Sequence, residues 1–224
     1  MKITDIVSES TELDEDLKRR AALGGIGAAI AGAYRYNKGS DEPVVKQDPT
    51  KDRGKVNEPP KPKNPADFLK YMAEKAGMKG DELSQFMAHA AHETGDFKHL
   101  VEQGTKDYFI KKYDKAHSPK TAKILGNIEH GDGIKFRGRG FLHITGRYNY
   151  KIVGKALGLP LEQKPELLED MEIAAKASIW FWNHRVKPNV DDFGDIKQVT
   201  KKINPALKGM ADRIKKLAHW KDNK

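Results

Sequence analysis

Between residues 37 and 65 the chain carries six prolines (Pro43, Pro49, Pro59, Pro60, Pro62 and Pro65) among Lys, Asp, Glu and Asn, with almost nothing apolar. Such a stretch has little surface to bury, and its prolines remove backbone donors from helix and strand alike, so it reads as a linker. Any core must be built by the residues beyond it. Three parts are expected: an N-terminal segment over 1–36, a proline-rich charged linker over 37–63, and a folded domain over 64–224.

The folded part opens with Asn64-Pro65, a helix cap followed by proline at the first helical position. Phe68, Leu69, Met72 and Ala76 keep a helical period until Gly77. A second helix starts near Asp81 with Leu83, Phe86, Met87 and Ala90 on one face. Residues 95–145 hold Gly, Lys and Tyr without a clean period, which predicts loops with short helices or a small hairpin. Later, Ile173, Ala177, Trp180, Phe181 and His184 form a stripe that ends at Pro188. Asp195 caps a short helix through Val199 and Ile203, and Met210, Ile214 and Leu217 mark the last. Strand-like alternation persists nowhere, so the expected fold is mainly α.

The chain has no cysteine, which excludes a disulfide scaffold and thiolate metal sites. Its net charge is +9. Residues 1–63 carry 12 Lys/Arg against 11 Asp/Glu and residues 64–224 carry 29 against 21, so +8 of the charge lies on the folded part. An anionic partner is implied, and charge alone does not choose among nucleic acid, membrane and wall polymer. The charge-free run at residues 21–34 would rise about 21 Å as a helix, short of the ~30 Å hydrocarbon core. The acidic stretch before it is unlike a secretory leader. Residues 21–34 are therefore open to two roles, membrane contact or packing.

Glu93, in His89-Ala90-Ala91-His92-Glu93-Thr94-Gly95, falls at the end of the second helix. At 100° per residue it lies about 20° from Phe86, at the edge of the apolar stripe. Apolar walls disfavour a charged carboxylate, as a general acid requires. The bland alternative is a helix-end glutamate facing solvent. Glu102, nine residues on, is a second carboxylate that could face the first across a cleft. His89 and His92 precede the glutamate, unlike the His-Glu-x-x-His order of zinc proteases, so no metal or other cofactor is expected. These histidines are expected to line the groove around Glu93.

The richest segment is Phe136-Arg137-Gly138-Arg139-Gly140-Phe141-Leu142-His143-Ile144-Thr145-Gly146-Arg147-Tyr148-Asn149-Tyr150. Its glycines permit close approach of backbone or ligand. Arg137 and Arg139 bring forked donors, and Tyr148 and Tyr150 bring flat faces for sugar rings. One Arg-Gly-Arg-Gly does not make a nucleic-acid-binding repeat, so no nucleic-acid partner is expected.

That segment resembles the Gly-Arg-Gly-x-x-Gln-x-Thr-x-x-x-Asn-Tyr signature of the family 19 glycoside hydrolases, the chitinases and their phage endolysin relatives. His92-Glu93-Thr94-Gly95, Gly131-Asp132-Gly133, Pro165-Glu166-Leu167-Leu168-Glu169-Asp170, Trp180-Phe181-Trp182, the run Val199 to Asn204, and Ala211-Asp212-Arg213 resemble the family in the same order. The resemblance covers roughly Asn64 to Trp220. It implies a lysozyme-like helical catalytic domain with a small loop or β region and a cleft. It also implies inverting hydrolysis of β-1,4 glycosidic bonds. Glu93 would be the acid, Glu102 the base and Thr145 the holder of the water. His92, Arg139, His143, Tyr148, Asn149, Asn204 and Arg213 would bind substrate or support the cleft.

Three departures stand out. His143 replaces the family's glutamine, Asn204-Pro205-Ala206 replaces Asn-Gly-Gly, and the stretch from Glu102 to Gly131 is short, which keeps Glu129 open as the base. The compact core resembles the phage endolysins more than the plant chitinases, which implies bacterial peptidoglycan as substrate, with chitin as the alternative and a non-catalytic wall-binding virion protein as a third. A monomer is expected, made in a bacterial cytoplasm from a phage gene and acting at the cell wall.

Overall fold

The computed structural model describes residues 63–222; the segment 1–36 with its apolar run, and the linker except residue 63, lie outside the described residues. Nine α-helices succeed one another among the described residues: α1 (Pro65–Lys75), α2 (Gly80–Glu93), α3 (Lys106–Tyr113), α4 (Pro119–Leu125), α5 (Asp132–Lys135), α6 (Arg147–Leu157), α7 (Met171–Phe181), α8 (Ile196–Ile203) and α9 (Met210–Asp222). Among the described residues no helix is long and apolar enough to cross a membrane.

The caps form as the sequence implies. Asn64 Oδ1 accepts from the Ala66 and Asp67 amides at 2.8 and 3.4 Å, with Pro65 in the first turn. Asp195 accepts from Lys197 and Gln198 at the start of α8. Gly77, at φ 88°, turns the chain out of α1 in a conformation only glycine adopts without strain.

α2 is the axis of the domain. Every residue from Ser84 to Ala91 is buried, polar and apolar alike, because α1, α8 and α9 cover it on different sides. The core gathers Phe68 and Leu69 of α1, Phe86 and Met87 of α2, Phe141, and Trp182 just beyond α7. Trp182 is fully buried, edge-on to Phe86 at 5.3 Å, and its indole N–H donates to Glu82 at 3.2 Å. Removing a ring of that size from a packed core costs about 3–5 kcal/mol.

Two expected stripes are corrected. In α7 the buried residues are Ala174, Ala175, Ala177, Ser178 and Ile179, continuing to Trp182 and Val186, while Ile173, Trp180, Phe181 and His184 are only half-buried. The cause is close approach: alanines face the core where helices meet, and a π turn over Trp182–Val186 rotates the chain beyond them. In α9 the buried line is Arg213 and Leu217, and Ile214 stands 52% exposed.

α3, α4 and α5 form a smaller lobe around Phe109, Tyr113 and Phe136. Buried Asp114 ties it together by accepting from the Gly131 and Gly133 amides at 2.7 and 2.5 Å. Gly133 sits so close to the Phe109 carbonyl that an added Cβ would lie 2.5 Å from it. Residues 95–145 form loops with short helices as expected, joined by two isolated bridges, Val101 with Arg139 and Arg139 with Ile144.

Candidate active site

Glu93 is the last residue of α2, and the chain leaves it through a left-handed turn. Gly95, Asp96 and Phe97 have φ of 58°, 59° and 64°, and two of them carry side chains that disfavour this region. Thr94 braces the turn: its hydroxyl donates to the Ala90 carbonyl at 2.6 Å and accepts from the Phe97 amide at 2.9 Å. Phe97 is locked against Trp220 and Phe141 at 5.9 and 6.3 Å. Packing thus holds strained backbone directly between the two candidate acids. The glycine was legible as a helix breaker; the two residues after it were not.

The Glu93 carboxylate meets a cation rather than the apolar walls expected from the helical wheel. Arg213 of α9 is fully buried, and its Nη2 donates to Glu93 Oε1 at 2.5 Å. Beside it His92 Nδ1 lies 2.6 Å from Asp212 Oδ2, so two neighbouring residues of α2 pair with two neighbouring residues of α9. Lys216 extends the ladder, reaching Asp96 at 2.5 Å and Asp212 at 3.5 Å. Burial alone would raise Asp212, but the His92 hydrogen bond and the Lys216 charge more than offset it and hold its carboxyl below the usual range. The His92 ring occupies the place that any Cβ at Gly209 would take, and Gly209 has φ 77°.

His89, one turn back, is fully buried. Its Nδ1 lies 2.8 Å from the Gln85 carbonyl and its Nε2 3.0 Å from the Thr200 hydroxyl, so the neutral ring donates to the first and accepts from the second. Burial, with the Arg213 charge beside it, pushes its pKa down to about 3. The two histidines have separate partners and do not converge on a common point.

Glu102 is held from three directions. Lys112 Nζ donates to Oε1 at 3.0 Å, the Tyr113 hydroxyl lies 2.9 and 3.1 Å from the two oxygens, and the Gly138 amide donates to Oε2 at 3.1 Å. Burial raises the Tyr113 phenol, so it keeps its proton and donates. Burial would lower Lys112, but hydrogen bonds with Tyr108, Tyr113 and Glu102 outweigh it and keep the ammonium charged. An ionised carboxylate offers about four lone-pair directions. Three donors leave room for another.

The glycine-rich segment joins the two acids. The Glu102 amide donates to the Gly138 carbonyl and the Gly140 amide to the Leu100 carbonyl, both at 2.8 Å, which lays residues 138–140 along residues 100–102. A Cβ at Gly138 would stand 2.9 Å from His143 Cβ and 3.1 Å from Glu102 Oε2. His143, at φ 45°, has Nδ1 3.9 Å from Glu93 Oε2 and Nε2 3.2 Å from the His99 carbonyl. His143 therefore stands between the acids, with Glu93 at its ring and Glu102 at its base. Thr145 donates its hydroxyl proton to the His143 carbonyl at 2.7 Å, and Asn149 Nδ2 donates to the Thr145 carbonyl at 2.7 Å.

Other expected site residues lie elsewhere or point elsewhere. Arg139 is buried and spends its donors on Glu169, the Lys135 carbonyl and the Tyr150 hydroxyl. Tyr150 is buried too, so it offers no face to a sugar; its ring packs on Phe136 and its hydroxyl donates to the Arg137 carbonyl. Tyr148 is half-buried, with the Arg185 guanidinium 5.8 Å from its ring centre. Asn204 accepts from the Ala206 amide within its own turn. Glu129 is exposed and bound at 2.7 Å by Arg147, which also bridges Asp132 and Glu162. Lys112 and Tyr113 carried no signal of their own, because nothing in local spacing ties them to residue 102, and Asp212 stood only as a member of the family-like Ala211-Asp212-Arg213.

A helical domain in which two carboxylates approach one glycine-rich turn, one paired to a buried arginine and one held by neighbouring donors, has the form of a glycosidase site. A family model described as chitinase class I matches residues 69–211, and the chain belongs to glycoside hydrolase family 19. A family 19 domain-containing protein of Haemophilus influenzae is 30% identical over 164 residues, covering 63% of this chain and 80% of that protein. Endochitinase B of Zea mays is 34% identical over 128 residues, covering 56% of this chain and 41% of its own. The chain thus spans less than half of that plant relative. Two solved structures share the fold. A bacterial family 19 chitinase has a TM-score of 0.52 at 24% identity, covering 69% of this chain and 83% of its own. A class IV chitinase of Zea mays has 0.51 at 22%, covering 69% and 77%.

Proposed function

We propose that this protein hydrolyses β-1,4 glycosidic bonds of bacterial peptidoglycan with inversion, using Glu93 as general acid and Glu102 as general base. The observation that carries the mechanism is the placement of the two glutamates on either side of His143 and Gly138. Glu93 Oε1 is taken by Arg213, which leaves Oε2 to deliver a proton to the leaving oxygen. Glu102, with one acceptor direction left, takes a hydrogen from the attacking water. Thr145 has committed its own proton to the His143 carbonyl, so its oxygen is free to accept the second hydrogen. A water held by two acceptors turns a lone pair outward, towards the anomeric carbon. The bond from that oxygen to carbon forms as the bond to the leaving oxygen breaks, and Glu102 ends protonated while Glu93 ends ionised.

The +8 charge of residues 64–224 supports an anionic wall as substrate, since electrostatic attraction raises encounter rates on such polymers. Chitin is the second reading, favoured by the names of the plant relatives, which are endochitinases. Site of action follows the substrate: we place the enzyme at the bacterial wall, as in a phage endolysin. The test is mass spectrometry of fragments released from purified peptidoglycan and from chitin oligomers. Release of new reducing ends from peptidoglycan supports the proposal; hydrolysis of chitin oligomers with intact peptidoglycan overturns its substrate.

A further inference from the structure

Two stretches of the folded part are strongly cationic: residues 196–221, with seven lysines and one arginine against Asp212, and residues 103–128, with six lysines against two aspartates, a net of +4. In the second stretch the two acids do little to cancel the charge outside. Asp114 is buried and engaged by backbone amides, and Asp107 stands alone among the exposed side chains. Lys106, Lys111, Lys115, Lys120 and Lys123 are all exposed, and none makes an ion pair among the described residues. The sixth, Lys112, belongs to the site: it holds Glu102, as does Tyr113 of the same helix. A cationic lobe built on α3 and α4 therefore borders the cleft on the side of the base.

From this juxtaposition we infer that the α3–α4 lobe is a recognition surface for the carboxylates of the peptide stems on the peptidoglycan strand being cut. The inference rests on the hydrolytic reading of the two glutamates. A neutral glycan such as chitin gives these five exposed ammonium groups nothing to meet. A strand carrying acidic peptides beside its sugars meets them as soon as a sugar lies over Glu102. Because exposed lysines act as point charges, the contribution is to encounter and retention rather than to the chemical step, and it is screened by salt.

The test compares the full chain with a variant in which Lys106, Lys111, Lys115, Lys120 and Lys123 are all replaced by Gln, and with one in which they are all replaced by Arg. Each is mixed at low salt with sacculi stripped of phosphate polymers by hydrogen fluoride, either untreated or amidated at their carboxylates. Co-sedimentation is read first, then fragment release; hydrolysis of a neutral chitin oligomer and thermal unfolding report the fold. The Gln variant should lose about tenfold in sacculus binding, the size typical of modest electrostatic steering, while oligomer hydrolysis stays unchanged. The Arg variant should bind as the original does, and amidation should abolish the difference between original and Gln variant. Equal binding by both, or a difference that survives amidation, overturns the inference. So does a difference that needs the phosphate polymers left in place, or one confined to DNA retention. Should the Gln variant fail to fold, the same replacements made in two smaller sets, Lys106 with Lys111 and Lys115, and Lys120 with Lys123, decide by the same readings. Sacculi bound through these lysines but never cut would sink the hydrolase reading and leave the surface standing.

Discussion

Arg213 and Glu93 form an ion pair in which the guanidinium is fully buried while the carboxylate remains 20% exposed at the cleft. One oxygen is anchored from inside the protein and the other is left for chemistry. Glu93→Gln should preserve the anchor, because an amide oxygen still accepts from Arg213. Its unfolding temperature should stay near that of the parent, and activity should fall by at least about 10²–10⁴-fold, as for loss of a general acid. Arg213→Ala should instead leave a carboxylate without its partner and an arginine-sized void, at about 3–5 kcal/mol. Thermal unfolding and hydrolysis, measured side by side, separate the two.

The two acids have different jobs and should fail differently. A substrate with a good leaving group needs little protonation, so it should partly rescue Glu93→Gln and leave Glu102→Gln inactive. Azide should rescue Glu102→Gln alone by replacing the activated water. Glu129→Gln should behave as the parent, because Glu129 lies in an exposed cluster with Arg147. NMR at early times should show inverted anomeric configuration, as expected for carboxyls about 6.5–9.5 Å apart. Retained configuration would refute the mechanism, and an inactive Glu129→Gln beside an active Glu102→Gln would move the base.

Tyr113→Phe removes one donor from Glu102 and one acceptor from Lys112, while the ring stays packed against Phe109. Hydrogen bonds to charged groups are worth about 1.5–3 kcal/mol, so kcat should drop roughly 10- to 100-fold. KM should hardly move. An unchanged kcat would show that Lys112 and the Gly138 amide suffice to hold the base.

Gly138→Ala tests the closeness of the glycine-rich turn to the acids. The added methyl would meet His143 and Glu102 at once, at 2.9 and 3.1 Å. Both can give only by moving reactive groups. We expect a loss of activity of at least about tenfold, since small misplacements at a reacting centre are costly, with a stability loss of about 1–3 kcal/mol. Parent-like kinetics would mean that residues 138 and 143 do not set the spacing of the site.

Stability should fall on acidification before most carboxylates titrate. His89 has its pKa lowered from 6.5 to about 3 by burial and by Arg213. The unfolded chain therefore takes up a proton below about pH 6.5 that the folded chain refuses. The stabilisation is complete above pH 6.5 and declines by up to about 1.4 kcal/mol per pH unit until the folded-state value near 3 is reached. Urea unfolding at pH 7, 5.5 and 4.5 measures this slope. A flat profile over that range would contradict a neutral, buried His89.

The sequence by itself determined the helical class, the caps at Asn64 and Asp195, the break after Glu93 and the family motifs. These rest on local chemistry: a side chain reaching the next amides, an apolar period, a glycine that accepts positive φ. It also placed Glu93 at a helix end, although the helical wheel could not reveal what would face it. Only the tertiary structure decided that. Residues 93 and 213 are 120 positions apart and meet because α9 lies along α2. Glu102 gained Lys112, Tyr113 and the Gly138 amide in the same way, through the packing of α3 and the folding back of residues 138–144. Arg139 and Tyr150, which look from their neighbours like groups reaching for a ligand, were turned inward. A buried guanidinium requires donors to be satisfied on every side, and Glu169, the Lys135 carbonyl and the Tyr150 hydroxyl meet that need.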